Sequence, residues 1–507
     1  MDALMLPALA LPLLLALLVM WPASRRRAER LAPLAPLPAL LLALAARDDL
    51  VADLPWLLLG SRFMLDETGR LFLGFTALVW LLAGWYARGY LAADPRRHVF
   101  WSFYLATAAG NLGVCLAGDA ASFYLLFALM TFAAYGLVIH NGSTEARRAG
   151  RVYLIMAVLG EAALVAGMLL AVHAASSHYL SELAAVAPPA AAIPLLLLGF
   201  GIKVGMPLLH MWLPLAHPVA PVPASAVLSG VMLKAGLLGW LRFLPLGTAA
   251  LPEIGTLLLT AGLLAMFLGV AAGLCQREPK VLLAYSSISQ MGFMTQGVGA
   301  GLLAPQLWPA LLPAVGLYAL HHALAKSALF LGVGVIQTGT TRGWVLAGMA
   351  LPALALAGAP LSSGLLAKTA LKTSLAGLPA PWDGLLPVLL PLAALGTALL
   401  MARLLLLLAA ELAHGASRGL AAPWWGLVFL GIALPRLLAP LPAMDLGALL
   451  TAIWPVLLAT VLAWAAVRRG LTPPMLPAGD LVVPLERGLG RLGHHLSATR
   501  THLGARS

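Results

Sequence analysis

Apolar residues run along this chain in long blocks, separated by short polar or basic loops. A helix needs roughly 20 consecutive apolar residues to cross a hydrocarbon core. On that basis the blocks predict about 15 spans, centred near residues 12, 39, 78, 107, 130, 163, 200, 234, 263, 289, 322, 360, 397, 431 and 457. The second block is short and interrupted by prolines. The first, residues 3–22, has Asp2 in front and Arg25, Arg26 and Arg27 behind. That is the reverse of a secretory n-region, so it is expected to be a membrane anchor with its N-terminus outside.

The loops alternate in charge. Those after odd-numbered spans hold Arg25–Arg30, Arg88–Arg97, Arg147–Arg151, Arg277, Lys280, Arg342, Arg418, Arg468 and Arg469. Those after even-numbered spans hold only Arg47, Arg62, Arg70, Arg242 and Arg436. By the positive-inside rule this predicts an odd span count in a cytoplasmic (inner) membrane, N-terminus out and C-terminus in. The largest outer loop, residues 47–68, gathers Asp48, Asp49, Asp53, Asp66 and Glu67. The polar tail from Leu471 to Ser507 carries Arg487, Arg491, Arg500 and Arg506 and is expected to lie solvated on anionic headgroups.

Composition sharpens this picture. With 61% apolar and 10% charged residues and a mean hydropathy of +0.94, the chain is neither an ordinary soluble domain nor a disordered one. A net charge of +12 could suggest nucleic-acid binding, but the basic residues are spread over the loops rather than gathered in a patch. Cys115 and Cys275 lie in apolar blocks and form neither a metal quartet nor a disulfide framework. No dinucleotide fingerprint, P-loop or cysteine cluster is present, so no cofactor, metal or redox centre is expected in this chain.

Ionisable residues inside the spans carry the candidate chemistry. Each costs about 2.5–3.5 kcal/mol at the middle of a helix on insertion scales. Glu161 is the acid well inside a span; the bases are Lys203, Lys234, Lys326, Lys368, Lys372 and Arg403, with His321 and His322 beside Lys326. Desolvation favours a neutral amine, and a neighbouring carboxylate restores its hold on a proton. Lysines with one acid and linking histidines can therefore form a switchable proton relay. His322 and Lys326 are four apart and share a helix face. Lys372 and Arg403 fall nearer span ends, where snorkelling is the better reading.

Two spans carry Gly/Pro interruptions beside a lysine: Gly199–His210 around Lys203 and Pro207, and Gly358–Lys368 around Pro360 and Gly364. Backbone groups freed by such breaks are tolerated where they line a polar cavity. Spans four to eight (residues 96–247) and nine to thirteen (248–412) make two units of five, each broken at its fourth member. Five is odd, so the units would be inverted relative to one another, as in transporters with paired discontinuous helices. Residues 1–95 would precede them, with 413–470 and the tail 471–507 following. The expected fold is all-α, with about 14–15 transmembrane helices.

The run from Lys203 through His210, Trp212, Pro214, His217, Pro218, Pro221, Ser225 and Gly230 to Lys234 resembles the proton-conducting antiporter-like subunits of respiratory complex I, Mrp-type Na⁺/H⁺ antiporters and membrane-bound hydrogenases. Leu283–Ile288, His321–Lys326 and Gly358–Gly364 are also similar, and the likeness covers roughly residues 60–410. The resemblance implies a fourteen-helix core with two inverted repeats and a hydrophilic axis along the membrane plane. It implies that Lys203 is the lysine beside the first break, Lys234 a bridging lysine, His322 and Lys326 the central segment, and Lys368 the terminal lysine. His210 and His217 would lie near the inner mouth. One departure stands out: in Phe127-Ala128-Leu129-Met130-Thr131, Ala128 occupies the place of the family's usual glutamate. Glu161 is expected to take over as the partner of Lys203.

The implied function is proton translocation, or Na⁺/H⁺ exchange, in a subunit of a larger respiratory or hydrogenase-like complex of membrane subunits in the bilayer. The rival readings are a non-pumping scaffold of such a complex, a partner of an inorganic-carbon uptake subunit, and a self-contained transporter for a larger solute.

Overall fold

The computed structural model describes residues 4–46, 49–58, 60–338, 342–411, 419–439, 446–484 and 486. The helices in chain order are α1 (Met5–Met20), α2 (Arg25–Leu31), α3 (Leu37–Ala45), α4 (Glu67–Tyr90), α5 (Arg97–Leu116), α6 (Ala120–Val138) and α7 (Thr144–Ala175). There follow α8 (Leu180–Leu183), α9 (Ala192–Val204), α10 (Trp212–Val219), α11 (Val222–Val227), α12 (Leu233–Phe243), α13 (Pro252–Leu274), α14 (Pro279–Leu303) and α15 (Trp308–Gln337). The last are α16 (Arg342–Ala357), α17 (Ser363–Ser374), α18 (Trp382–Ala410), α19 (Ala421–Leu438) and α20 (Leu446–Arg468). Every expected span centre falls within a helix except that near residue 360, which lands on the break between α16 and α17.

Among the described residues, eleven helical segments are long and apolar enough to cross a membrane, and α1, α9 and residues 343–357 are shorter apolar helices. The protein is a polytopic membrane protein. α14 has the length to span, but its buried Ser286, Ser287, Ser289, Gln290, Thr295 and Gln296 lower its hydropathy. The proline-interrupted second block is one stretch, Arg25–Ala45, made of α2, a 3₁₀ turn at Ala32–Leu34 and α3. α15 is the central post, buried from Ala314 to Ile336 and packed by α4, α11, α14, α16, α17 and α19.

Loop contacts sort the chain into two faces. On one, Arg97 pairs with Glu29 at 3.1 Å, His140 with Asp94 at 2.9 Å, and Arg148 with Glu486 at 2.6 Å. On the other, the Arg62 N–H donates to Asp119 (2.8 Å), the Ala120 N–H to the His178 carbonyl (2.8 Å), and Arg242 to both oxygens of Asp66 (2.5 and 2.6 Å). Loops after odd-numbered spans meet one another, as do those after even-numbered spans, which is what the alternating charge pattern requires.

Two features add to the reading of the sequence. The acidic outer loop contains an antiparallel hairpin, β1 (Leu50–Leu54) with β2 (Ser61–Leu65), in which Asp53 faces Arg62 and pairs with it at 2.7 Å. The tail is not wholly a solvated segment: Val482 is buried, Asp480 meets His210, and Glu486 meets Arg148. Arg47, Asp48, Arg418, Arg487, Arg491, Arg500 and Arg506 lie outside the described residues.

Candidate functional site

Lys203 sits in the last turn of α9. Gly205, in the left-handed conformation at φ +79°, ends the helix, and the N–H groups of Gly205 and Met206 return to the Gly201 carbonyl. The Ile202 carbonyl, which also accepts from the Gly205 N–H at 3.2 Å, takes the Trp212 indole at 2.9 Å, which joins the two halves of the broken span. α9 packs against α7 where Gly160 and Gly199 meet; a Cβ at Gly199 would stand 2.8 Å from the Gly160 carbonyl oxygen. That close approach sets Glu161 opposite Lys203. Both are 5% exposed and line one cavity of about 20 Å³, room for about one water, together with Phe127, Thr131, Tyr153 and Trp212. The ammonium lies 5.3 Å from the Phe127 ring centroid and 5.9 Å from that of Tyr153.

Lys234 follows a π-turn, Leu228–Met232, inserted between α11 and α12. The amine donates to the Ser229 carbonyl at 2.9 Å, and Nζ lies 2.5 Å from His322 Nδ1. π-turns within α-helices are frequent at functional sites. Ser229 and Ser287 hydroxyls meet at 2.7 Å, linking this turn to α14. Lys326, one turn along α15 from His322, donates to the Leu283 carbonyl (2.9 Å) and to the Ser286 hydroxyl. On the neighbouring face of α15, His321 Nδ1 is 2.9 Å from the Ser363 hydroxyl at the start of α17.

Lys368 reaches back from α17 across the second break. It donates to the carbonyls of Leu356 (2.8 Å) and Ala357 (3.0 Å), two of those left open at the C-terminus of α16, and lies 5.3 Å from the Phe293 ring centroid. Gly358 (φ +86°) makes this approach; a Cβ there would stand 3.0 Å from Lys368 Cδ.

His210 lies in the first break and meets Asp480 of the tail at 3.2 Å. Burial alone would raise the Asp480 carboxyl above its usual range; His210 and the Leu481 N–H outweigh it and hold it below. Likewise burial would raise Asp66, and Arg242 with the Gly69 N–H brings it below the usual value. His217 is fully buried, stacked on Phe330 at 4.5 Å, and neither ring nitrogen has a partner among the described residues. Lys372 is exposed, and Arg403 caps the Gln276 carbonyl at 2.7 Å. The structure thus brings Lys234, His322 and Lys326 together around α14 and α15, and joins His321 to the second break. Glu161 and Lys203 line a separate cavity at the first, without a direct ion-pair contact between them.

Residues 117–377, just over half of the chain, match the family described as "NADH:quinone oxidoreductase/Mrp antiporter, TM". The chain belongs to this family. An uncharacterized protein of Mycobacterium tuberculosis (strain H37Rv) is 32% identical over 68% of the chain and 57% of its own length. Hydrogenase-4 component B of Escherichia coli K12 is 35% identical over 45% of the chain and 36% of its own length. The solved Mrp complex from Dietzia sp. DQ12-45-1b matches with a TM-score of 0.80 and 25% identity, over 98% of this chain and 60% of that one. The chain therefore spans little more than half the length of the curated relatives named here, or less. It is an antiporter-type membrane subunit of the Mrp and complex I kind.

Within this member of the NADH:quinone oxidoreductase/Mrp antiporter family, several site residues were given no role by the reading of the sequence. Ser286 and the Ser229 carbonyl hold the lysines of the centre, and Ser287 joins Ser229. Gln290 bridges Tyr318 and Thr397, both at 3.0 Å, beside them. The signal for Ser286, Ser287 and Gln290 was the run of polar residues inside an otherwise apolar α14. Asp480 gave no such signal, being one acid in a polar tail.

Proposed function

We propose that this subunit moves protons across an inner membrane through Glu161/Lys203, Lys234, His322/Lys326, His321 and Lys368, coupled to other membrane subunits of a complex. The observation that carries this reading is that Glu161 and Lys203 line the same small cavity, although Ala128 leaves the family's usual acid position empty of charge. A lysine and a carboxylate so enclosed exchange a proton at little cost, because transfer removes two buried charges at once. The Lys234–His322 contact of 2.5 Å supports onward transfer, since an imidazole can accept on one nitrogen and release from the other. Lys326 and its serines extend the polar centre, and His321 with Ser363 leads towards the second break and Lys368.

Two five-helix units of opposite orientation, residues 96–247 and 248–412, are part of this reading. The breaks after α9 and after α16, each at the fourth member of its unit, support it. The basic-loop pattern supports an orientation with the C-terminus inside.

The test is Lys203→Ala in everted vesicles carrying the whole complex. Dye-reported acidification should fall to that of vesicles lacking the subunit, with assembly on native gels unchanged. Wild-type acidification in that variant would overturn the assignment. Replacing Na⁺ by K⁺ in the buffer separates proton movement from Na⁺/H⁺ exchange.

A further inference from the structure

Away from the lysines, a second cavity of about 450 Å³ opens where α2 meets the end of α4 and the start of α5. Arg26 and Arg30 of α2, Arg88 in the last turn of α4, and Arg97 at the start of α5 line it, with Glu29 and Trp101. Four guanidinium groups therefore face one carboxylate, and Glu29 is committed to Arg97 at 3.1 Å. Among the described residues, Arg26, Arg30 and Arg88 have no ion-pair partner. The neighbouring Arg25 is different: it turns away to cap the Val19 and Met20 carbonyls of α1. Like charges held around a cavity without counter-charge repel, and a bound anion relieves that repulsion.

The depth of the cavity identifies the anion. Trp21, just past the end of α1, is 69% exposed, and Trp85, one turn before the end of α4, is 52% exposed. Outward-facing tryptophans at helix ends mark the headgroup level of a bilayer. The exposed apolar face of α1 (Leu13, Leu14, Leu17) runs from that level into the hydrocarbon, a surface suited to acyl chains. Guanidinium forks match phosphate oxygens in geometry as well as charge.

We infer that this cavity binds the phosphodiester headgroup of an anionic phospholipid, held by Arg26, Arg30 and Arg88. Basic pockets between transmembrane helices are a recurrent setting for such headgroups.

The test uses the full chain, purified and delipidated in detergent. Its thermal midpoint is followed on adding phosphatidylglycerol, phosphatidylcholine or inorganic phosphate at matched ionic strength. Phosphatidylglycerol should stabilise at a concentration at least about tenfold lower than phosphatidylcholine, and inorganic phosphate should not substitute for it. Arg26→Gln with Arg88→Gln should weaken the phosphatidylglycerol response about tenfold. Equal responses to the two lipids, a full response to inorganic phosphate, or an unchanged response in the double variant would each overturn the proposal. So would loss of phosphatidylglycerol binding on assembly, which would assign the cavity to an acidic segment of a partner subunit. If the double variant does not fold, the contrast between the two lipids on the wild-type chain decides alone.

Discussion

At the first break Lys203 closes the last turn of α9 and faces Glu161 across a shared cavity. At the second, Lys368 stands in the second turn of α17 and reaches back to two carbonyls of α16. Both lysines reach a break that carries a left-handed glycine, Gly205 at the first and Gly358 at the second. Their partners differ in kind. A carboxylate can gain a proton and so release its lysine; a pair of backbone carbonyls cannot, and their dipoles favour the charged amine by a fixed amount. On the proposed reading, the first lysine is governed by a partner that switches and the second by one that does not.

The comparison can be broken most severely at Glu161. Glu161→Gln should lower translocation about tenfold, the equivalent of one pKa unit of lost coupling. Adding Ala128→Glu in the same chain should recover much of that loss, because it restores an acid one turn from Thr131, which already lines the Lys203 cavity. Acidification rates in vesicles check both. An unaffected Glu161→Gln variant would favour a scaffold over a pump.

The glycines sharpen the contrast. An L-residue in the left-handed region costs about 1–2 kcal/mol, so Gly205→Ala and Gly358→Ala should both lower the melting point. A Cβ at position 205 meets nothing closer than 3.8 Å, whereas at 358 it presses on Lys368 Cδ at 3.0 Å. Only Gly358→Ala should therefore also slow translocation. Equal kinetic effects would show that the lysine does not depend on its reach to Leu356 and Ala357.

The smallest effect is expected in the tail. Because Asp480 is held below its usual value of 3.8, its contribution to docking is fully present above that value and is lost as pH falls through the lowered one. Cleavage by added protease between residues 470 and 478 should thus be slow at neutral pH and quicken only under strong acid. In Asp480→Asn it should be faster at neutral pH and nearly independent of pH.

The span pattern and the lysines were legible because the bilayer penalises a misplaced charge so heavily that each one left inside is conspicuous. Glu161 was legible as the acid well inside a span, and its matching to Lys203 came from the resemblance, in which Ala128 holds the usual acid's place. The hairpin at residues 50–54 and 61–65 was hidden by length: five residues of alternation in an acid-rich loop carry little signal. The π-turn before Lys234 was hidden for another reason. Nothing local in Leu-Ser-Gly-Val-Met demands it; Gly230 permits the close approach of Ser327 from α15, a contact between residues far apart in the chain. The tail's contact with His210 likewise joins positions 270 apart.

That π-turn has a geometric consequence. A regular α-helix advances about 100° per residue, so one additional residue in a turn rephases everything downstream by about that angle. The aim of the Lys234 amine at His322 is in effect written as a count of residues between Val227 and Leu233. Shortening that stretch by one, with every side chain of the pair intact, would swing the amine a quarter-turn or more off the imidazole.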